Sequence, residues 1–262
     1  MVYRMTRLLL AGVIAGCSLG NLASCSSDTI VDGIEVNADV EFFNEVPGEL
    51  TFESSDYVDA LVFDSFGALR IIGTSEKSGI KADLDFEVHG QSENKCSNIR
   101  DEIGMECIVE NGVCKPVFTC GGTEIVDSLS EIYDGYSLSV LLTLNVPETV
   151  KDYYISTATG QISLHNVSGK FDLMTADGGI ELDSVEVLEE SSADTSLGDI
   201  TIDSPLLAAD IDVHTSQGDI CVTSEHLEFD GSNTFTNNLN NKCIKVKTDI
   251  GNIIYNNTNT TI

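Results

Sequence analysis

Residues 195–222, TSLGDITIDSPLLAADIDVHTSQGDICV, contain nearly the same hexapeptide twice. TSLGDI begins at Thr195, and TSQGDI begins twenty residues later at Thr215. Such an echo is either a ligand loop built twice or one visible turn of a longer structural repeat. Further copies elsewhere in the chain decide between these two interpretations.

The pattern apolar-x-apolar-x-T-x-x-G-x-apolar-x-apolar recurs five times. The copies are YYISTATGQISL from Tyr153, FDLMTADGGIEL from Phe171, SSADTSLGDITI from Ser191, IDVHTSQGDICV from Ile211 and IKVKTDIGNIIY from Ile244. Their glycines, Gly160, Gly178, Gly198, Gly218 and Gly251, are spaced by 18, 20, 20 and 33 residues. A weaker copy, LVFDSFGALRI, surrounds Gly67. The echo therefore belongs to a repeat.

Apolar and polar residues alternate on both sides of each repeated glycine, which is typical of strands with one buried face. Glycine suits the corner between two such strands, because it lacks a Cβ. Units of 18–20 residues cannot bury their apolar face alone and must stack on one another. The sequence therefore predicts an all-β, single-domain β-solenoid, or β-helix, of 18–20-residue rungs. An isoleucine column forms its core, and a threonine column just before the bend forms hydrogen bonds along the stack.

Two acidic residues, Asp199 and Asp219, follow equivalent glycines. A calcium ladder at these positions is one hypothesis, because Ca²⁺ requires several converging carboxylate oxygens. Only two of the five rungs carry a carboxylate there, so solvated polar corners are the favoured interpretation. We expect no other cofactor.

The chain is strongly acidic, with 43 Asp and Glu against 13 Lys and Arg and a formal net charge of -30. This charge repels phosphate groups, and we expect no nucleic-acid partner. It would also oppose lateral self-assembly through open solenoid ends at low salt.

The N-terminus predicts export. Arg4 and Arg7 precede a short apolar run that is followed by two cysteines in lipobox-like contexts, Cys17 and Cys25. Lipidation at Cys25 leaves six cysteines, an even number, whereas lipidation at Cys17 leaves one thiol over. We therefore predict a lipoprotein signal peptide over 1–24 and a flexible tether over 25–40. The solenoid domain would span 41–262 and be anchored at the outer membrane, facing the periplasm or the cell surface. A cleaved secretory signal without lipid is the alternative.

The remaining cysteines favour disulfides over a zinc ribbon, because no C-x-x-C pair occurs among them. Cys96, Cys107, Cys114 and Cys120 would hold an insertion over 91–135, with three possible pairings left open. A Cys221–Cys243 bridge would close a second loop, 221–243. Surface insertions of this kind are where rigid scaffolds carry recognition.

Residues 136–185, YSLSVLLTLNVPETVKDYYISTATGQISLHNVSGKFDLMTADGGIELDSV, resemble the bacterial domain of unknown function 4097, which is described as adhesin-like. The shared features are an apolar strand ending in Val146 and Pro147, a polar connector and repeated T-x-x-G-x-I rungs. We expect the resemblance to extend from about residue 57 to the C-terminus. It implies a β-solenoid of envelope or exported proteins, and it brings no catalytic residues.

No nucleophile elbow, phosphate-binding loop or H-E-x-x-H motif occurs in the sequence. We therefore predict a non-enzymatic cell-envelope lipoprotein, adhesin-like or a scaffold, that presents loops to envelope proteins or surface glycans. The alternative is a polysaccharide-active β-helix enzyme, which requires acids and a basic residue on one face of consecutive rungs.

Overall fold

The computed structural model describes residues 44–203, 210–224, 234–236 and 243–257, all of which fall in the unit Glu41–Ile262. The first strands are β1 (Asn44–Ser54), β2 (Ala60–Ser65), β3 (Ala68–Gly73), β4 (Ile80–Gly90), β5 (Ile103–Glu110), β6 (Val113–Cys120), β7 (Thr123–Glu124) and β8 (Ser137–Val146). The following strands are β9 (Asp152–Thr159), β10 (Ile162–His165), β11 (Ser168–Asp177), β12 (Ile180–Asp183), β13 (Glu186–Val187), β14 (Ser191–Leu197), β15 (Ile200–Asp203), β16 (Asp210–Gln217), β17 (Ile220–Ser224), β18 (Thr234–Thr236), β19 (Cys243–Ile250) and β20 (Ile253–Asn257). Helix α1 (Glu93–Glu102) and a short 3-10 helix (Leu129–Glu131) complete the described elements.

Each predicted rung is a pair of strands that meet at its glycine. The five strong copies form the pairs β9–β10, β11–β12, β14–β15, β16–β17 and β19–β20, and the weak copy forms β2–β3. The first strands of these pairs align in parallel in an eleven-stranded sheet, and the second strands align in a nine-stranded sheet. The all-β, solenoid-like fold predicted from the repeat is confirmed.

The interior is formed by the apolar columns of the rungs. The isoleucine two residues after each glycine is buried in all five copies, at Ile162, Ile180, Ile200, Ile220 and Ile253. Larger side chains fill the earlier rungs, where the rings of Tyr153 and Phe171 stack with centroids 5.3 Å apart. Because each such side chain contributes about 1.5–3 kcal/mol on full burial, the columns are the main stabilising element of the fold.

The threonine column links each rung to the next through buried hydroxyl groups. Each Oγ1 donates to the carbonyl of the neighbouring rung's glycine, in the pairs Thr157–Gly67, Thr175–Gly160, Thr195–Gly178, Thr248–Gly198 and Thr215–Gly251, at 2.8–3.2 Å. Those five threonines are at most 4% exposed. The hydrogen bonding along the stack that the sequence predicts is therefore confirmed.

The order of the rungs in space differs from their order in the chain. Strand β19 lies between β14 and β16, and β20 lies between β15 and β17. The last repeat is thus inserted between the third and fourth repeats, in parallel with both. The two hexapeptides TSLGDI and TSQGDI are consecutive in the sequence, but a third rung separates them in the fold.

The solenoid continues at its N-terminal end as an antiparallel sheet. Strand β8 pairs in parallel with β3 of the first rung and antiparallel with β4, and β1 pairs antiparallel with β4. Strand β1 is the edge strand of the nine-stranded sheet and carries Pro47, which cannot donate a ladder hydrogen bond. Residues 57–89 thus supply β2, β3 and β4, which connect the first rung to the antiparallel part of the sheet.

The insertion over 91–135 is held by strand pairing and apolar packing. Ser92 caps α1 by accepting from the backbone N–H of Lys95, and the β5–β6 hairpin joins the eleven-stranded sheet through β2. The Phe118 ring makes edge contacts with Phe63 and Phe66. These contacts form without any covalent link.

The predicted disulfides are not supported, because no two of the described cysteines lie at disulfide-bonding distance. Within the insertion, the Cys114 thiol forms a hydrogen bond with Cys107, and this bond lowers the pKa of Cys107. The same bond, together with burial, raises the pKa of Cys114. Cys96 and Cys120 are buried, and burial raises the pKa of each thiol. These residues pack as small apolar groups.

The Cys221–Cys243 bridge is not supported either, and the topology gives the reason. Cys221 is exposed on β17 in the nine-stranded sheet, whereas Cys243 begins β19 in the eleven-stranded sheet. Cys243 lies opposite Asp210 at the start of β16, whereas Cys221 lies on the second strand of that neighbouring rung.

Several predictions concern residues outside the described ranges. They include the signal peptide over 1–24, both lipidation candidates Cys17 and Cys25, the tether over 25–40, and most of the loop 221–243. Within the described part of the chain, no helix is both long enough and apolar enough to cross a bilayer.

Candidate functional site

The calcium hypothesis requires Asp199 and Asp219 on adjacent rungs, and the fold separates them. Asn252 of the inserted rung lies between the two aspartates. The Asp199 carboxylate accepts from the backbone N–H of Asn252 at 2.6 Å, and the Asn252 side chain accepts from the backbone N–H of Asp219 at 3.0 Å. The described residues contain no cluster of three or more metal-ligating side chains. This column is a hydrogen-bonded ladder that fixes the corners of the solenoid.

A groove lies on the outer face of the eleven-stranded sheet, beside the loop that follows β7. We call it the insert groove, and its residues come from three rungs, from β2 and from the insertion: Asp64, Val126, Asp127, Ser156, Ala158, Met174, Ala176 and Ser196. Its cavity volume is about 260 Å³. The insert groove thus lies where the solenoid meets its insertion.

The floor of the insert groove is made of small side chains. Ala158, Ala176 and Ser196 occupy equivalent outward positions on β9, β11 and β14. Neighbouring strands in a sheet lie about 4.8 Å apart, so this row forms a shallow furrow that runs along the stack. The repeat creates the furrow, because four of the five strong copies place Ala or Ser directly after the buried threonine.

Two exposed apolar side chains flank this floor. Val126 of the insertion is 53% exposed, and Met174 of β11 is 47% exposed. These two residues are 48 positions apart in the chain. Exposed apolar side chains that converge on a concave surface indicate an interaction site more strongly than isolated ones do.

Carboxylates surround the apolar part of the groove. Asp64 pairs across the ladder with Ser156, Ser156 with Met174, and Met174 with Asp194. Asp127 enters the groove from the insertion. Asp194 lies just beyond the groove, and partial burial raises the pKa of its carboxyl group, an effect that nearby Lys247 opposes.

An exposed aromatic ring on β9, the strand that carries Ser156 and Ala158, is in contact with a cation. Tyr154 is 39% exposed, and Lys170 Nζ lies 5.6 Å from the centre of its ring. The residues that line the groove include no aromatic side chain. The groove therefore combines small, aliphatic and acidic groups, without a free stacking platform.

A second polar surface lies on the outer face of the nine-stranded sheet. Glu181 accepts from Gln161 Nε2 at 3.1 Å and from Ser163 Oγ at 3.4 Å, and Arg70 occupies the ladder position next to Ser163. On the following row, His165 Nδ1 and Asp183 Oδ2 are 3.2 Å apart. This surface brings acids and a basic residue onto consecutive rungs, as the enzyme alternative requires. Its Glu181 carboxylate is engaged in structural hydrogen bonds.

Sequence reasoning expected recognition in the insertion but did not identify the groove. Val126 and Asp127 follow the cysteine-rich hairpin, and Met174 occupies an outward position where the other strong copies carry Ser156, Asp194, His214 and Lys247. An apolar residue at a position that is polar in the other copies is the one local signal in the sequence that points to the groove.

Comparisons with known proteins give one family match. Residues 148–254 match the family model described as Toastrack DUF4097, which covers the five strong rungs. No curated protein matches the chain.

Several solved structures are similar to the chain at low sequence identity. A "putative cell adhesion protein from Clostridium sporogenes" is 15% identical with a TM-score of 0.49, and the match covers 80% of this chain and 99% of that chain. A "putative adhesin" from Bacteroides fragilis is 9% identical with a TM-score of 0.28, covering 79% and 97%. A "putative lipid binding protein from Parabacteroides distasonis" is 11% identical with a TM-score of 0.23, covering 80% and 94%.

Proposed function

We propose that this chain, a member of the Toastrack (DUF4097) family through its rungs at 148–254, is a non-enzymatic, adhesin-like binding module of the cell envelope. The observation that carries the proposal is the insert groove, where Val126 of the insertion and Met174 of the solenoid expose apolar surface beside a floor of small residues. A rigid stack of rungs supports the floor, and a surface loop completes the wall, which is a common arrangement in binding proteins.

The subcellular location of the module is proposed from the N-terminal sequence. Lipid on Cys25 would anchor the domain at the outer membrane. The residue after Cys25 is Ser26, whereas in similar bacterial lipoproteins an Asp at this position retains the protein at the inner membrane. The net charge of -30 suits a domain held away from anionic lipid headgroups by a tether. Intact mass tests the anchor, since lipid on Cys17 with the eight following residues retained would contradict it.

The enzyme alternative is supported by Arg70, Glu181 and Asp183, which lie on the same sheet with one rung between Arg70 and the two acids. A general acid requires a carboxyl group that can exchange a proton with the substrate. Glu181 instead accepts hydrogen bonds from Gln161 and Ser163 of the neighbouring rung, which favours a structural role. Binding is therefore the proposed function, with the groove as its site.

Photo-cross-linking in living cells tests this function. A benzoyl-phenylalanine at Ala176 lies in the groove, and the same residue at Asp203 lies on the exposed outer face of the other sheet. We expect a discrete adduct from position 176 and none from position 203. Equal adducts from both positions, or none from either, would refute a binding role for the groove.

Protease treatment of intact and permeabilised cells shows whether the domain faces the cell exterior or the periplasm. If intact cells lose the domain, the groove faces the exterior and its partner is extracellular. If only permeabilised cells lose it, the partner is periplasmic, and adhesion is replaced by a scaffold role.

A further inference from the structure

We infer that the insert groove binds an extended protein segment that carries a lysine or arginine next to an aliphatic residue. This inference rests on the proposed function and adds the chemical class of the partner. The aliphatic side chain would lie between Val126 and Met174, and the cationic group would lie between Asp64 and Asp127, which line the same groove.

The size of the groove favours a docked segment over a small molecule. Its volume of about 260 Å³ is below the range of roughly 300–1,000 Å³ that encloses drug-sized ligands. The furrow runs along the stack and stays open to solvent, so an extended chain can insert one or two side chains while its backbone remains outside. A long side chain with an aliphatic stem and a charged end uses both the apolar walls and the acidic rim.

The charges of the groove determine the sign of the partner. In the described structure, the carboxylates of Asp64 and Asp127 form no ion pair with a lysine, arginine or histidine of the chain. The whole chain adds a net charge of -30. A cationic segment is therefore attracted over the whole surface and is held at these two residues.

The same observations disfavour glycans and anionic ligands. No aromatic side chain lines the groove, and the nearby Tyr154 ring is already covered by Lys170. Sugar rings would therefore find no free stacking platform. Phosphate and carboxylate groups would be repelled by Asp64 and Asp127.

Calorimetric titration of the purified full-length protein with two peptides tests the inference. The probes are acetyl-Gly-Leu-Lys-Leu-Gly-amide and the same peptide with Nε-acetyllysine, which keeps the aliphatic stem and removes the charge. We expect the first peptide to bind at least five-fold more tightly than the second. The D64N/D127N variant should lose that difference, and V126S should weaken both peptides.

The control is D85N/D203N, which removes two exposed carboxylates from the outer face of the other sheet. Its affinity for the lysine peptide should stay within two-fold of the unmodified protein at 150 mM salt, where charges beyond about 8 Å are screened. If the control weakens binding as much as D64N/D127N does, the attraction is non-specific and the inference is wrong.

Failure of the inference is distinguishable from failure of the proposed function. If neither peptide binds but position 176 still cross-links to a partner in cells, the groove is a binding site and the cationic segment is refuted. If neither peptide binds and no adduct forms, both are refuted. A cross-linked adduct with a glycan in place of a protein also refutes the cationic segment.

Discussion

Substituting Gly178 with alanine should destabilise the solenoid through one steric contact. A Cβ at this position would lie 2.0 Å from the Gly160 carbonyl oxygen of the neighbouring rung. Ordinary van der Waals contact begins at 3.4 Å, so the two backbones would have to separate by more than 1 Å. Gly178 has no left-handed φ, and the effect therefore measures the close approach alone.

The cost follows from the hydrogen bonds that this separation would break. Thr175 Oγ1 donates to the Gly160 carbonyl at 3.2 Å, and the backbone N–H of Ile162 donates to the Gly179 carbonyl at 2.9 Å. Each lost bond costs about 0.5–1.5 kcal/mol, and more where a buried carbonyl is left without a donor. We therefore expect the free energy of unfolding to fall by about 2–4 kcal/mol.

Gly122→Ala is the matched control. Gly122 has a φ of +80°, and a Cβ there would meet nothing within 4 Å. Its cost is the left-handed backbone penalty alone, about 1–2 kcal/mol. Urea unfolding followed by circular dichroism measures both variants. A Gly178→Ala protein that is as stable as Gly122→Ala, or more stable, would refute the view that rung contact requires this glycine.

Three further substitutions test the ladder, the thiol pair and the outer face. Thr195→Val removes the hydroxyl group that donates to the Gly178 carbonyl at 2.8 Å. It should lower the free energy of unfolding by about 1–2 kcal/mol in the same urea assay. A change below about 0.3 kcal/mol would contradict a stabilising role of the threonine hydrogen bonds. Cys114→Ala removes the bond that lowers the pKa of Cys107, so iodoacetamide should alkylate Cys107 more slowly at pH 7, and an unchanged rate counts against that bond. Burial raises the pKa of Asp194, so its ionised carboxylate lowers the stability of the folded state once the pH exceeds the folded pKa. Asp194→Asn should therefore raise the urea midpoint at pH 7 and leave it unchanged at pH 3. A lower midpoint at pH 7 would contradict this prediction.

The threonine and isoleucine columns of the solenoid could be predicted, because the same sequence pattern recurs in each rung. The threonine three residues before the glycine and the isoleucine two residues after it recur in every strong copy. In the structure these positions are the ladder donor and the buried core residue. Local pattern and three-dimensional contact coincide here, because stacking repeats the same contact at every level.

The groove and the thiols could not be predicted in this way. Asp64, Val126 and Met174 come from three separate segments, and only tertiary packing brings them together. The cysteine spacing was read as a disulfide framework, but Cys114 and Cys120 lie on a strand whose Phe118 already packs into the core. Cysteine parity does not distinguish a covalent staple from a small buried side chain.

The order of the rungs also escaped prediction, and electrostatics supplies a physical reason for it. If the rungs stacked in chain order, Asp219 would lie directly beside Asp199, and like charges on adjacent strands are destabilising by about 0.2–1 kcal/mol per pair. The inserted rung places the neutral Asn252 between them, and its side chain and backbone bond to both levels.

The inserted rung also distributes the scarce positive charge. It carries Lys245 and Lys247 at outward positions, and Lys245 Nζ lies 2.7 Å from the Glu190 carboxylate of the rung below. Lys247 pairs across the ladder with Asp194 on one side, and Lys245 pairs with Asp212 on the other. In a chain with 43 acidic and 13 basic residues, a rung with two lysines is most stabilising between two acidic neighbours, not at the end of the stack. The near-identity of the hexapeptides thus makes the rungs interchangeable in shape, and their charges favour the order in which they stack.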